Sequence, residues 1–336
     1  MTPGPLVDLA AINAAREVIA GRVHRTPLLS STAAAAVIER SAGIRIADRR
    51  LFLKAEHLQK TGSFKPRGMT ARVAALSADE RRRGIITFSA GNAAQGYAYA
   101  GAALGVPVTV VMPAAAVRSK VDASAGYGAR VVLEGENFGA VYAAMERIRD
   151  EERLVLCHPF DDPEVVAGHG SAGLEILEDL PDVDVVVVAV GGGGLISGIA
   201  AAVKALRPGV RVYGVEPETS DAISQGLAAG HPVRMQPMSV ADGLNAPFAG
   251  ELTLEMIRRY VDGVVLIDDA TILAGLRFAL ERMKQVVEPA GAAALAAVLT
   301  GRIPIRDGER VAAVMSGGNV EVTRLGELID RAAPLA

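Results

Sequence analysis

The chain has 336 residues, of which 50% are hydrophobic and 22% charged, and its formal net charge is −3. This composition is typical of a globular protein with one large or two medium domains, and it excludes a disordered chain. The small negative charge gives no broad basic field, so neither nucleic acid nor a membrane is expected as a partner. A single cysteine, Cys157, excludes an internal disulfide framework and fits a reducing cytoplasm.

Two segments are relevant to location. Residues 1–22 lack a basic region followed by an apolar one, so no secretory signal is expected. Residues 183–203 are nearly uncharged and about long enough to span a bilayer, but four consecutive glycines interrupt them. A buried strand, a glycine turn and a helix account for this stretch better, and the protein is expected to be soluble and cytoplasmic.

Short apolar, β-branched runs alternate with amphipathic segments along the chain. Strands are predicted at 85–88, 108–112, 130–133, 154–157, 185–190, 211–216, 264–267 and 311–315. Helices are predicted at 8–20, 66–77, 93–104, 137–151, 164–178, 195–206, 270–286 and 290–299. The alternation predicts an α/β fold with mainly parallel sheets flanked by helices.

The strands fall into two clusters without a flexible linker between them. We expect a small domain at 84–157, inserted into a large domain formed by 1–83 and 158–336. The active site is then expected in the crevice between the two lobes, at the carboxyl ends of the strands.

One lysine carries a first chemical signal. Lys65 lies in the segment 62–68 (GSFKPRG), where an apolar strand is expected to give way to a predicted helix and Pro66 suits its first turn. The positive end of a helix disfavours an ammonium group, which favours a neutral, nucleophilic amine. The plainer interpretation is a solvated surface lysine.

A glycine run carries the second signal. Gly191–Gly194 follow the predicted strand 185–190, and their amides, with the next helix N-terminus, can bind a phosphate. The run has neither the Lys-Ser/Thr of a P-loop nor the G-x-G-x-x-G spacing of a dinucleotide site, so a phosphate without a nucleotide is favoured. The alternative is a tight strand–helix turn.

Two more turns follow predicted strands. In 89–96 (SAGNAAQG), backbone amides can hold a carboxylate and Asn92 can reach a ring hydroxyl, although a helix cap and a turn explain the same residues. In 316–319 (SGGN), Ser316 can hydrogen bond a heterocyclic nitrogen without adding charge, and the alternative is another turn. A Schiff-base lysine and a phosphate site are the two anchors of bound pyridoxal phosphate.

With these motifs the chain resembles the fold-type II pyridoxal-phosphate enzymes of the serine/threonine dehydratase group, which includes the serine racemases. The matching segments run in family order over nearly the whole chain: 24–29 (HRTPLL), 62–68, 89–96, 191–198 (GGGGLISG), 214–217 (GVEP), 241–243 (ADG), 287–293 (VEPAGAA) and 316–319. The resemblance implies a two-lobed fold like that of tryptophan synthase β, bound pyridoxal 5'-phosphate and a homodimer. No C-terminal regulatory domain is expected, since little chain follows Ser316.

The resemblance also implies a role for each matched residue. Lys65 is implied as the Schiff-base lysine and the catalytic base. The other implied cofactor contacts are Phe64 packed near the ring, Asn92 at the ring hydroxyl, Gly191, Gly192, Gly193 and Gly194 at the phosphate, Glu288 near the ring edge, and Ser316 at the ring nitrogen. The implied substrate site comprises Ser63, Ser89, Ala90, Gly91, Asn92, Ala93 and Asp242, with Ser63 and Gly91 at the carboxylate and Asp242 at the side-chain end.

Three positions depart from the family pattern. Ala93 stands where the group usually has histidine, which opens space and leaves the substrate's size and polarity undecided. Ala90 stands where racemases carry their serine base and cannot transfer a proton, so racemisation is disfavoured. Metal-dependent members carry an aspartate six residues after Glu216, where this chain has Ala222; no metal ligand set is predicted, and Glu216 is the only candidate ligand.

The expected reaction is the α,β-elimination of water from a β-hydroxy amino acid, L-threonine and/or L-serine, giving a 2-oxo acid and ammonia. The protein is thus expected to be a lyase whose partner is a small amino acid. The alternatives are dehydration of 3-hydroxyaspartate or a bulkier β-hydroxy amino acid, racemisation, and a non-enzymatic phosphometabolite-binding protein. The sequence leaves open the substrate, a divalent cation, the oligomeric state and any effectors.

Overall fold

The structure, a computed structural model, describes residues 6–335. Its strands are β1 (Leu28–Ser31), β2 (Leu51–Lys54), β3 (Ile85–Phe88), β4 (Val108–Met112), β5 (Arg130–Leu133), β6 (Val155–Leu156), β7 (Val185–Ala189), β8 (Arg211–Pro217), β9 (Gly263–Ile267) and β10 (Val311–Val314). Its α-helices are α1 (Leu9–Ile19), α2 (Thr32–Ala42), α3 (Lys65–Ala74), α4 (Ala78–Arg83), α5 (Asn92–Leu104), α6 (Arg118–Gly126), α7 (Phe138–Glu152), α8 (Pro163–Asp179), α9 (Gly194–Leu206), α10 (Ala222–Ala229), α11 (Glu251–Tyr260), α12 (Asp269–Met283), α13 (Pro289–Leu299) and α14 (Val322–Asp330).

The strands form two sheets. The larger has the order β1-β2-β10-β7-β8-β9 and the smaller the order β5-β4-β3-β6. Every pair is parallel except β1 with β2. All five residues of β7 are buried, as expected for a parallel strand covered on both faces. The predicted α/β class with mainly parallel, helix-flanked sheets is confirmed.

The strands β3 to β6 of the smaller sheet all lie within residues 85–156. Helix α5 comes from the same stretch but packs against α3, and α3 in turn packs against α8. The predicted domain boundaries at 84 and 157 remain a prediction. The uncharged stretch 183–203 forms β7 and much of α9, and no helix within residues 6–335 has the length and apolar character needed to cross a bilayer.

Several elements were not predicted. β1 (LLSS) and β2 (LFLK) lack the β-branched residues that mark the predicted strands, and their place is set by pairing: β1 pairs with β2, and β2 pairs with β10. Helix α4 buries no residue, so its pattern is all polar, and only its Ser77–Glu80 capping box marks it. The helices α2, α6, α10, α11 and α14 were also missed, although α11 and α14 are clearly amphipathic.

The approach to Lys65 differs from the prediction. Lys65 does not follow an apolar strand directly, because two 3₁₀ turns, Glu56–Leu58 and Lys60–Gly62, lie between β2 and α3. Thr61 and Gly62 in the second turn have φ of +60° and +71°, which bends the chain sharply before the helix.

Four charged side chains are buried together beside α3. Arg67 donates two hydrogen bonds of 2.8 Å to each of Glu56 and Glu175. Lys54 donates from Nζ to Glu175 at 2.6 Å and to the carbonyl oxygen of Thr26 at 2.7 Å. Two cations thus balance two carboxylates, and the network joins β2, α3, α8 and the segment before β1.

The pairing with Arg67 is what keeps Glu56 charged. Burial works against a charged Glu56, but the Arg67 guanidinium outweighs it and holds the pKa of Glu56 below its ordinary value. Because Arg67 lies two residues after Lys65, the same hydrogen bonds fix the first turn of α3.

The network generates a stability prediction. Arg67→Met should destabilise the protein by about 3–5 kcal/mol, since it leaves the buried Glu56 without its cation and Glu175 with Lys54 alone. Chemical denaturation followed by circular dichroism measures this. The matched control is Arg82→Met on the exposed helix α4, which should leave the unfolding midpoint unchanged. Equal midpoints for the two variants would contradict the role assigned to the network.

Candidate active site

Lys65 is the first residue of α3, with Pro66 next in its first turn. Its Nζ donates to the carbonyl oxygen of Pro159 at 3.1 Å and lies 4.9 Å from the centre of the Phe64 ring. Burial lowers the pKa of Lys65 to about 8, and the charge of Glu288 opposes this shift. Burial, which the sequence does not reveal, therefore makes this amine far more often neutral at neutral pH than an ordinary lysine.

The loop after β10 is held against the Lys65 segment. The amide of Phe64 donates to the carbonyl oxygen of Ser316 at 3.1 Å. The Ser316 side chain is buried, and among the described residues its hydroxyl makes a single, long hydrogen bond of 3.4 Å to a carbonyl oxygen of α13. The segment that pairs with the Lys65 segment therefore carries an uncharged hydroxyl, that of Ser316, which can form a shorter hydrogen bond to a ligand.

Asn92 is the first residue of α5, and its amide group is shared between two neighbours. Nδ2 donates to Oε1 of Glu288 at 2.7 Å, while Oδ1 accepts from Nδ2 of Asn319 at 2.8 Å. An amide nitrogen has two N–H bonds, so Asn92 can still donate to a ring hydroxyl. Asn319 was not predicted as a site residue, although it belongs to the SGGN segment.

Glu288 is buried directly before α13. Burial raises its pKa to about 8, and the negative charge of Asp242 adds to this, whereas the Asn92 hydrogen bond and the charge of Lys120 oppose it. The carboxyl is therefore largely protonated at neutral pH and can donate as well as accept a hydrogen bond. A Cβ at Gly317 would lie 2.4 Å from Oε1 of Glu288, so a side chain there would displace this carboxyl.

The glycine run Gly191–Gly194 connects β7 to α9. Gly193 has φ of +90°, and no side chain of the described residues caps α9. The first amides of a helix have no acceptor within it, so this turn offers free donors to an anion. A Cβ at Gly192 would lie 2.4 Å from the Phe160 ring, so packing requires a glycine here too.

The remaining predicted substrate residues surround the start of α3 and α5. Ser63 is fully buried, and its hydroxyl has no hydrogen-bond partner within residues 6–335. Such a group costs free energy unless a ligand pairs with it, which fits the predicted carboxylate site. Ser89 Oγ accepts the amide hydrogen of Gly91 at 3.1 Å. Ala90 is partly exposed, whereas Ala93 is buried in the apolar core of the smaller sheet, and their effects on the substrate remain predictions.

Glu216, the candidate cation ligand, has another structural role. It is fully buried on β8; its Oε1 accepts the amide of Ile223 at 2.8 Å, and its Oε2 accepts the amide and hydroxyl of Ser224 at 2.9 and 2.7 Å. Burial raises the pKa of Glu216 to about 7. Both carboxylate oxygens of Glu216 thus accept hydrogen bonds from the first turn of α10. Residues 6–335 contain no cluster of three or more His, Cys, Asp or Glu side chains able to hold a metal ion.

The segment 158–160 (HPF) belongs to the site and was not predicted. The carbonyl oxygen of Pro159 accepts a hydrogen bond from Lys65, and the ring of Phe160 packs against Gly192. Burial lowers the pKa of His158 to about 4, so its ring is neutral, and it packs edge-on against Phe160. The segment links the amine to the glycine turn; its only signal in the sequence is its place after a predicted strand.

These groups meet where parallel strands end. β7 and β10 are neighbours, so the glycine turn and Ser316 leave the same edge of the larger sheet, and Asn92 approaches from the smaller one. A desolvated lysine, an uncharged hydroxyl, a protonatable carboxyl and a turn of free amides fit the amine-reactive ring and phosphate of pyridoxal phosphate.

Comparison with known proteins agrees with this geometry. The profile of the family described as "Pyridoxal-phosphate dependent enzyme" matches residues 19–317. The chain therefore belongs to the pyridoxal-phosphate dependent enzymes, and the predicted family and cofactor are confirmed.

Individual relatives cover almost the whole chain. The L-threonine ammonia-lyase of Thermotoga maritima is 43% identical over 327 residues, 97% of this chain and 79% of that protein. The catabolic L-threonine dehydratase TdcB of Escherichia coli K12 is 39% identical over 316 residues, 94% of this chain and 93% of that protein.

Two solved structures share the fold closely. Maize serine racemase superposes with a TM-score of 0.89 at 34% identity, covering 97% of this chain and 98% of that one. The threonine deaminase of T.th. superposes with a TM-score of 0.84 at 41% identity, covering 94% of this chain and 99% of that one.

The depressed pKa of Lys65 generates a prediction for the apoprotein. Only a neutral amine attacks an aldehyde, so the rate of Schiff-base formation with added pyridoxal phosphate should rise with pH through about 8, instead of near the ordinary lysine value of 10.5. Stopped-flow absorbance measures this rate, and Lys65→Ala, the control, should lose the phase. A rise centred above pH 10 would show that burial does not control this amine.

Proposed function

We propose that the chain catalyses the α,β-elimination of water from a β-hydroxy amino acid, L-threonine and/or L-serine, giving a 2-oxo acid and ammonia. Relatives at 37–43% identity over most of the chain are named threonine ammonia-lyases or dehydratases. The observation that carries the proposal is the 3.1 Å hydrogen bond from Phe64 to Ser316, which brings the lysine segment and an uncharged hydroxyl to one site.

Lys65 is the base in this proposal. Bound pyridoxal phosphate supplies an electron sink for the carbanion that forms at the substrate's α-carbon. Lys65 takes the α-proton, for which a pKa of about 8 is well suited. The resulting ammonium then donates that proton to the departing β-hydroxyl, which leaves as water; the released enamine tautomerises and hydrolyses to the 2-oxo acid and ammonia.

The other residues bind and orient. The turn Gly191–Gly194 holds the phosphate, and Asn92 donates to the ring hydroxyl. Ser63, with the backbone near Gly91, holds the substrate carboxylate. Glu288 lies at the ring edge, where its protonated form adds no charge.

Ser316 sets the course of the reaction in this proposal. A hydroxyl at the ring nitrogen brings no formal negative charge, so it does not hold that nitrogen protonated. With this uncharged partner, the bound ring would be a weaker electron sink than a protonated one, which would favour loss of the β-hydroxyl over transamination.

Racemisation is the second candidate function, since maize serine racemase shares the fold. Ala90 weighs against it, because the methyl group cannot carry a proton to the opposite face of the α-carbon. Dehydration of 3-hydroxyaspartate or a bulkier β-hydroxy amino acid is the alternative within the same chemistry. We also propose that the protein is cytoplasmic, on the basis of its composition, and that it is a homodimer, on the basis of the family resemblance.

A substrate screen tests the proposal. The purified holoenzyme should release 2-oxobutanoate from L-threonine or pyruvate from L-serine, without matching amounts of D-amino acid; the panel also includes 3-hydroxyaspartate and 3-phenylserine. Coupled 2-oxo acid assays and chiral chromatography are run on the same samples.

A matched pair of lysine variants serves as the control. Lys65→Ala should lower the rate by roughly 10²–10⁴-fold, while Lys204→Ala on α9 should leave it unchanged. D-amino acid formed without 2-oxo acid would overturn the assignment in favour of racemisation.

A further inference from the structure

An ion pair connects helix α6 to the 3₁₀ turn Asp242–Leu244. Lys120, on α6 beside the smaller sheet, donates from Nζ to Oδ2 of Asp242 at 2.5 Å. Ser119, the residue before it, donates to Glu321, which precedes α14. Both contacts run from α6 to segments outside the smaller sheet. The side chains of Lys120 and Asp242 are 27% and 35% exposed, so water reaches the pair.

The 3₁₀ turn Asp242–Leu244 touches both ends of the candidate site. A Cβ at Gly243 would lie 3.4 Å from Oε1 of Glu288, so the turn packs closely on that carboxyl. A Cβ at Gly191 would lie 3.1 Å from the Cα of Leu244, so the turn also packs on the glycine run. A shift of this turn therefore changes the surroundings of the ring edge and of the phosphate together.

We propose that Lys120 is a positioning residue. By binding Asp242 it fixes the turn Asp242–Leu244 against Glu288 and Gly191, and so couples the approach of α6 to assembly of the site. This inference rests on the proposed function, because its main readout is turnover of a β-hydroxy amino acid. The side-chain hydrogen bond of Lys120 goes to Asp242, so its effect on the site passes through the turn.

The neighbouring charges are compatible with this role. Arg324, on α14, has Nη1 3.7 Å from Oδ2 of Asp242, farther than Lys120 and on a helix outside the smaller sheet. It is a second, longer-range partner of Asp242 that reaches α6 indirectly, through α14 and the Ser119–Glu321 contact. Lys120 also acts on Glu288 by charge, opposing the rise that burial and Asp242 produce in its pKa.

The expected strength of the contact is small. Partly exposed ion pairs shift an equilibrium by a factor of about 1.4 to 5, and salt screens them. A contact of this strength can break and re-form in every catalytic cycle, as substrate entry and product release require. Removing it should weaken closure without unfolding the protein.

The experiment is a double-mutant cycle on the holoenzyme, made of Lys120→Met, Asp242→Asn and the double variant. Lys120→Met should lower kcat/KM for L-threonine by about two- to fivefold, mainly through KM, because substrate binding and closure are coupled. The double variant should be no worse than the poorer single variant. Lys120→Arg should restore most of the loss. The matched control is Arg118→Ala, on the same helix, whose side chain forms an ion pair with the exposed Asp122.

Two further readouts separate positioning from a general structural defect. Raising the salt concentration should lower kcat/KM of the wild type toward that of Lys120→Met, whose own value should stay nearly constant. Hydrogen exchange of the α6 amides should be faster in Lys120→Met than in the wild type or Arg118→Ala, and this comparison needs no turnover.

Two results would overturn the inference: Lys120→Met indistinguishable from Arg118→Ala, or losses in the two single variants that multiply in the double. If the wild type releases no 2-oxo acid from any β-hydroxy amino acid, the proposed function fails. Hydrogen exchange then tests the positioning role of Lys120 without turnover. If the α6 amides exchange at the same rate in Lys120→Met as in the wild type, that role is rejected.

Discussion

The bidentate pairing of buried Arg67 with Glu56 and Glu175 is the constraint on which the site depends. Charges at this depth are tolerated only when each has a partner, so β2, α3 and α8 cannot move independently. The first turn of α3 is thereby fixed, and Lys65 with it. The hydrogen bond from Phe64 to Ser316 carries the same constraint to the end of β10.

Burial then sets the proton chemistry that this frame holds in place. The dry environment that lowers the pKa of Lys65 to about 8 raises that of Glu288 to about 8. An amine and a carboxyl with nearly matched proton affinities share one crevice, and a neutral hydroxyl, Ser316, lies nearby. The proton chemistry of the site therefore arises mainly from the burial of Lys65 and Glu288.

The sequence predicted the groups that lie at strand ends, because a parallel sheet brings such ends together: Gly191–Gly194, Asn92 and Ser316 all follow predicted strands. It did not predict the ionic network, since Lys54 and Glu175 are 121 residues apart and burial alone distinguishes them from surface charges. The helix-capping role of Glu216 was missed for a similar reason, because α10 was not predicted. The lowered pKa of Lys65 was expected from the helix N-terminus, whereas burial is its main cause.

The central claim is that Lys65, held by this buried frame, is the lysine that binds pyridoxal phosphate. Borohydride reduction of the holoenzyme, followed by proteolysis and mass spectrometry, tests it most directly. The account predicts a single pyridoxyl group on the peptide that contains Lys65, with loss of the visible absorbance. A pyridoxyl group on Lys54, Lys60 or Lys120 with Lys65 unmodified would contradict it.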